Sequence, residues 1–153
     1  MQHSQDITRI LQSFEGCELK AYHGTLDPDG LYTIGYGHTT NVYKGMTCTI
    51  AQVYQWLNED LVSSDYFINK LVDVELNQPE FDALSDFVFN LGCVRFQQST
   101  LLKLLNNGDF EGASNELLKW DMAAGKHCAG LLKRRTVEKS LFDQGIAEQK
   151  AHA

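Results

Sequence analysis

Five glycines (Gly24, Gly30, Gly35, Gly37 and Gly45) and the run Asp27-Pro28-Asp29 fall within residues 24–45 of a 153-residue chain whose other apolar residues recur mainly at helical spacing. No other feature constrains the fold as strongly. Glycine and proline punctuate turns, and the pieces they leave, such as Leu31-Tyr32-Thr33-Ile34, are short and β-prone. Residues 19–48 therefore read as a small, hairpin-rich antiparallel sheet. Helical segments flank it on both sides, which predicts an α+β chain rather than alternating β and α units.

Ahead of the sheet, Ile7, Ile10, Leu11 and Phe14 share one helical face, with Ser4 or Asp6 as cap. Gly16 reads as the stop, in the position where a left-handed C-cap is common. Glu15 then sits at a helix C-terminus, where the partial negative charge disfavours an ionised carboxylate. After the sheet, Lys44-Gly45-Met46 reads as a turn. Thr49 caps a helix over about 50–72, with Ile50, Val53, Trp56 or Leu57, Leu61 and Ile68 as its apolar positions. Such a helix is about 33 Å long, enough to span two lobes. Asn77-Gln78-Pro79-Glu80 starts the next helix, whose stripe Phe81, Leu84, Phe87, Val88 and Leu91 ends at Gly92. Further helices are expected at about 99–106, 110–120 and 131–144, with the last eight or so residues disordered. The expectation is one domain over 1–153: an N-lobe at about 15–50, a connecting helix at 50–72, and a helical lobe at 73–145 that also takes in helix 6–14.

Composition narrows the function. No run of 18 apolar residues exists, so no membrane insertion is expected. The N-terminus lacks the basic and apolar regions of a signal peptide, which points to synthesis in the cytoplasm. The net charge is −7, with 4 Lys/Arg against 10 Asp/Glu in residues 1–75 and 9 against 10 in residues 76–153. This acidity argues against nucleic acid as partner. The basic cluster Lys126, Lys133, Arg134 and Arg135 reads first as a solvated helix face, and second as an anchor for an anionic ligand. Cys17, Cys48, Cys93 and Cys128 form no CxxC or zinc spacing, and the histidines make no HxxxH pair. Free thiols, mostly buried, and no metal or cofactor are expected.

The chemistry lies in Glu15, Asp27 and Thr33. Glycosidic bond cleavage needs one carboxyl that donates a proton to the leaving oxygen and a second, ionised carboxylate on the other side of the sugar. Glu15 suits the acid role, and Asp27, in a turn rich in backbone N–H donors, suits the second. Thr33 follows Asp27 after five residues and could hold a water beside it. Taken singly, each has an ordinary reading: a helix-end carboxylate, an Asx turn, a strand residue.

The block Glu15, Asp27, Thr33 and Ile34-Gly35-Tyr36-Gly37-His38 resembles the active-site block of the phage lysozymes, endolysins of glycoside hydrolase family 24. Lys44-Gly45-Met46-Thr47, Asn77 to Leu84, Phe89-Asn90-Leu91-Gly92, Phe96 with Ser99 to Leu102, Gly108-Asp109-Phe110, Trp120, and Gly130 to Arg135 with Glu138 extend the likeness over roughly residues 6–145. The eleven residues between Glu15 and Asp27 are three more than is usual in the family, and Asp29 competes with Asp27 for its role. Only Asp27 keeps the spacing to Thr33.

The resemblance implies a lysozyme-like fold: a small hairpin-containing N-terminal lobe, a long helix, a helical C-terminal lobe, and a cleft between. It implies hydrolysis of the β-1,4 bond between N-acetylmuramic acid and N-acetylglucosamine in peptidoglycan, with inversion and with Asp27 and Thr33 placing the water. By analogy Thr39, Phe89, Ser99 and Asn115 line the cleft; His38, whose signal is only that it ends the Gly motif, reads first as a structural sheet residue and second as a proton shuttle. The implied partner is the peptidoglycan glycan strand, met by a monomer that reaches the wall through a separate holin-type pore. A lytic transglycosylase using Glu15 alone, and a non-catalytic peptidoglycan-binding module, remain the alternatives.

Overall fold

The computed structural model describes residues 1–23 and 30–153. Helix α1 (Gln5–Phe14) starts at Ser4, whose hydroxyl accepts from the Ile7 N–H at 3.3 Å, and buries Ile7 and Leu11. Its exit differs from the sequence expectation. Glu15 itself is the C-cap, in extended conformation (φ −93°, ψ 124°), and Gly16 is not left-handed. The chain runs straight into strand β1 (Cys17–Tyr22), so no reversal is needed there.

Strand β1 pairs antiparallel with β2 (Thr33–Tyr36), setting Cys17 opposite Tyr36 and Tyr22 opposite Thr33. On its other edge Lys20 bridges to Thr47, with Cys48 N–H donating to Leu19 O at 3.0 Å. Helix α2 (Ile50–Leu71) opens with a capping box between Thr49 and Gln52 and turns Val53, Leu57, Leu61 and Ile68 inward. Leu57 rather than Trp56 is the core residue. Trp56 stacks on His38 instead, with ring centroids 4.7 Å apart.

Helix α3 (Gln78–Leu91) opens with a second capping box, Asn77 with Glu80. Every residue from Glu80 to Val88 is buried. The apolar stripe was expected; the burial of Glu80, Asp82, Ser85 and Asp86 on the remaining faces was not. Each acid there has a partner brought from far along the chain: Ser4 N–H to Asp82 at 2.9 Å, Gln149 to Glu80 at 2.6 Å, and Arg134 to Asp86. These bonds offset the desolvation of buried carboxyl groups.

Helices α4 (Cys93–Gln98), α5 (Thr100–Asn106) and α6 (Phe110–Leu117) follow, then a hairpin of β3 (Met122–Ala123) with β4 (Lys126–His127), then α7 (Ala129–Ala151). Neither α4 nor this hairpin is legible in the sequence, since elements of six and two residues are too short to show a period. Helix α7 continues through the tail expected to be disordered; Phe142 and Ile146 bury against the core, and Gln149 is tied to α3. The main core packs Ile68, Phe81, Leu84, Phe87, Phe96, Leu101, Leu105, Leu117 and Phe142, with Trp120 edge-on to Phe87. A smaller cluster of Leu11, Leu57 and Leu61 seats α1 on α2. Cys17 is exposed and the other three cysteines are half-buried, Cys93 against the edge of the main core, so the thiols are less buried than expected.

Candidate active site

Gly37 organises the site. It stands in the tight reversal in which Ile34 and His38 exchange both backbone hydrogen bonds at 2.9 Å. Its φ of +71° is a left-handed conformation that L side chains rarely adopt. It is also crowded: an added Cβ would lie 2.9 Å from Glu15 Oε2. A backbone without a side chain here lets the Glu15 carboxylate come up against the strand that faces the cleft.

The other side of Glu15 was not foreseen. Arg134 Nη1 donates to its Oε1 at 2.6 Å across 119 residues of sequence. The same guanidinium forks onto Asp86, Nε and Nη2 each donating at 2.9 Å, and lies 5.2 Å from the Phe14 ring centroid. Arg134 is 5% exposed and Arg135 is fully buried, which overturns the solvated-face reading for both. Only Lys126 and Lys133 of that cluster are exposed. Burial alone would favour loss of the Arg134 proton, but Asp86 and Glu15 outweigh it and push its pKa further up. Asp86 follows the mirror logic. Burial would raise its carboxyl, yet hydrogen bonds from Glu138 and Arg134 hold it below the usual carboxylate range.

A cleft of about 560 Å³ lies beside this cluster, lined by Leu31, Thr33, Gly37, Thr39, Phe89, Asn90, Leu91, Gly92 and Arg95. A shallower recess lined by Asp60 and Phe67 continues from it through Gly37, Thr39, Phe89 and Gly92. The β-hairpin thus supplies one wall and the C-terminal end of α3 the other. Among the expected site residues, Thr33, Thr39 and Phe89 line this cleft, and Glu15 abuts it through Gly37. Asp27 and its competitor Asp29 lie outside the described residues.

Two expected cleft residues are elsewhere. Ser99 is 3% exposed and caps α5, donating to Phe96 O at 2.7 Å and accepting from Leu102 N–H at 3.1 Å. Its hydroxyl is consumed by the backbone. Asn115 lies in a depression between α6 and α7, lined with Glu111, Lys139 and Asp143, that shares no residue with the cleft. His38 is 6% exposed, stacks on Trp56, and bonds Asp60 through Nδ1 at 2.8 Å. Burial pushes the Asp60 carboxyl up against the opposing pull of that bond.

The sequence reading missed Arg134, Asp86, Asn90 and Arg95. Asp86 had left a trace, an acid inside the apolar run Leu84 to Val88. Arg134 had only its charge and its place in the segment Gly130 to Arg135, because its partners come from elements far along the chain.

A hairpin lobe and a helical lobe, joined by a long helix and forming a cleft beside a cation-paired glutamate, define a lysozyme-like α+β protein. The chain belongs to the phage lysozyme family, whose model matches residues 12–138. It is 42% identical over 138 residues to the endolysin of Acyrthosiphon pisum secondary endosymbiont phage 1, covering 88% of this chain and 92% of that one. It is 38% identical to the endolysin of Bacillus phage B103 over 95% of its own length, but spans only 55% of that relative. The muramidase domain of SpmX from Asticaccaulis excentricus superposes with a TM-score of 0.80 at 35% identity, over 92% of this chain and 98% of that one.

Proposed function

We propose that this chain is an endolysin muramidase that degrades bacterial peptidoglycan for host lysis, hydrolysing the β-1,4 bond between N-acetylmuramic acid and N-acetylglucosamine. The observation that carries the reading is the placement of Glu15: a carboxyl at a helix end, pressed against Gly37 in the cleft wall and anchored by a buried arginine. Family membership supports it.

Glu15 is the general acid, protonating the leaving oxygen. Asp27, with the hydroxyl of Thr33, orients the water that attacks from the opposite face and so inverts the anomeric centre. Thr39 and Phe89 contact the glycan, Phe89 as an apolar platform for a sugar face. The chain works as one domain whose two lobes receive the strand between them. It acts as a monomer on the wall, after synthesis in the cytoplasm and passage through a pore made by a separate protein.

Mass spectrometry of the soluble products of purified peptidoglycan, digested by wild type and by Glu15→Gln, tests this. Reducing-end muropeptides from wild type, with a loss on the order of 100- to 10,000-fold in the variant, are expected. Anhydro-muropeptides would mean a lytic transglycosylase. Binding without products from the wild type would mean a recognition module.

A further inference from the structure

The Glu15–Arg134 pair is one end of a buried charge cluster whose other members lie deep between α3 and α7. Asp86, on α3, is fully buried and takes both remaining arms of the Arg134 fork at 2.9 Å. Glu138, one turn beyond Arg134 on α7, is 1% exposed. Its carboxyl faces that of Asp86. Arg135 lies with Nε 2.9 Å from Glu138 Oε1, donates to Asn90 at 2.6 Å, and rests 5.3 Å from the Phe87 ring centroid. Asn90 in turn lines the cleft.

Two guanidinium groups face three carboxyl groups. Were all three carboxyl groups ionised, the cluster would carry a net negative charge in a dry interior, which is costly. Two carboxylates facing one another there cannot both remain ionised. Asp86, with two charge-assisted donors from Arg134, keeps its charge; Glu138 keeps the proton. Taken as a carboxylate, Glu138 leaves both of its oxygens without a hydrogen-bond partner. Taken as a carboxylic acid it donates to Asp86, and the worst of that deficit closes. Complete burial, then the bond to and charge of Asp86, push the Glu138 carboxyl well above its usual range.

We propose that Asp86 is a positioning residue for the catalytic acid, dividing the charge of Arg134 between two carboxylates, while Glu138 stays neutral and keeps Asp86 ionised. The inference rests on the assignment of Glu15 as general acid. An acid must carry its proton when substrate arrives, and an undivided guanidinium charge at 2.6 Å would favour the ionised form instead. Asp86 tempers that charge without giving up the anchor that fixes the carboxyl's position. Among the described residues, the titratable or charged groups facing this assembly are Tyr22 of β1 beside Glu15, Asp86 of α3, and Arg134, Arg135 and Glu138 of α7.

The test uses the full chain in four forms: wild type, Glu15→Gln, Asp86→Asn and Glu138→Gln. Each is followed by muropeptide release against pH, and by carbon-13 spectra of protein labelled at the glutamate carboxyl carbons. In the wild type at neutral pH, a protonated glutamate carboxyl should be present whose signal persists in Glu15→Gln and vanishes in Glu138→Gln. Glu138→Gln, which still donates to Asp86 but cannot carry charge, should keep the rate–pH profile of the wild type within about threefold. Asp86→Asn should lose about tenfold or more at neutral pH and recover part of that loss as pH falls, since the whole charge of Arg134 then acts on Glu15.

An ionised Glu138 overturns the proposal, as does a folded Asp86→Asn with wild-type rates or an equal loss at every pH. Should Asp86→Asn not fold, the state of Glu138 in the wild type and the profile of Glu138→Gln decide together. If the wild type releases no muropeptides, the assignment of function has failed, while the carboxyl spectra still test the charge arrangement by themselves.

Discussion

Replacing Gly37 by alanine separates the two demands placed on that residue. The first is conformational: at φ +71° an alanine costs about 1–2 kcal/mol. The second is contact. The new Cβ would stand 2.9 Å from Glu15 Oε2, closer than real Cβ atoms approach, and 3.0 Å from its carboxyl carbon. The Glu15 carboxyl must yield by several tenths of an ångström, against a 2.6 Å bond to Arg134. Losing that charge-assisted bond would add about 1.5–3 kcal/mol. A total of about 2.5–5 kcal/mol lowers the melting temperature of a chain this size by roughly 2–4 °C per kcal/mol. The displaced acid should slow cleavage by about ten- to a hundredfold, the scale expected for a misplaced catalytic group. Gly45→Ala is the control, since its φ of +83° imposes the same strain while nothing lies within 4 Å of the added carbon. Thermal unfolding by circular dichroism and muropeptide release well below both melting points are the assays. Gly45→Ala should melt lower yet cleave like the wild type. A wild-type rate in Gly37→Ala, or an equal slowing in Gly45→Ala, would refute the reasoning.

Three further outcomes are expected. Glu138→Gln should be more stable than wild type near pH 7, with the gap closing as pH falls toward 4.5 in urea titrations. The folded-state pKa of Glu138 lies above its unfolded value, so its contribution is fully present below the ordinary range and is lost as pH rises through the folded value. A gap independent of pH would contradict a neutral Glu138. Asp86→Asn should cost about 3–5 kcal/mol at neutral pH by leaving Arg134 without its buried anion. Because the Asp86 carboxyl is depressed, that stability is present above its ordinary range and disappears as pH falls through the folded value, so the variant's acid unfolding should be flatter. Leu84→Ala, at a fully buried position of α3, should cost about 2–5 kcal/mol by chemical denaturation without altering the pH dependence of cleavage.

Local chemistry made much of this molecule legible from its sequence. Ser4, Thr49 and Asn77 are caps because a short polar side chain satisfies backbone donors within three residues of itself; Thr49 caps as read, Ser4 is the cap of the two candidates Ser4 and Asp6, and Asn77 opens the helix start read at 77–80. The apolar stripe of α3 and the glycine-punctuated hairpin are likewise properties of neighbouring residues, and so was the recognition of Glu15 and Thr33 as candidates. Where local signal is short or shared, the reading failed: the six residues of α4, the two-residue strands β3 and β4, and Ser99, whose hydroxyl serves its own helix instead of the cleft.

What the tertiary structure alone decided is the electrostatic setting of the site. Arg134 and Arg135 look like surface charge on a helix because nothing near them in sequence is acidic except Glu138. Their role depends on α7 lying along α3, which brings Asp86 from 48 residues away and Glu15 from 119. Whether a charge is solvated or buried and paired is set by the elements that pack against it. A sequence states which groups can ionise; only the fold states which of them must share a proton.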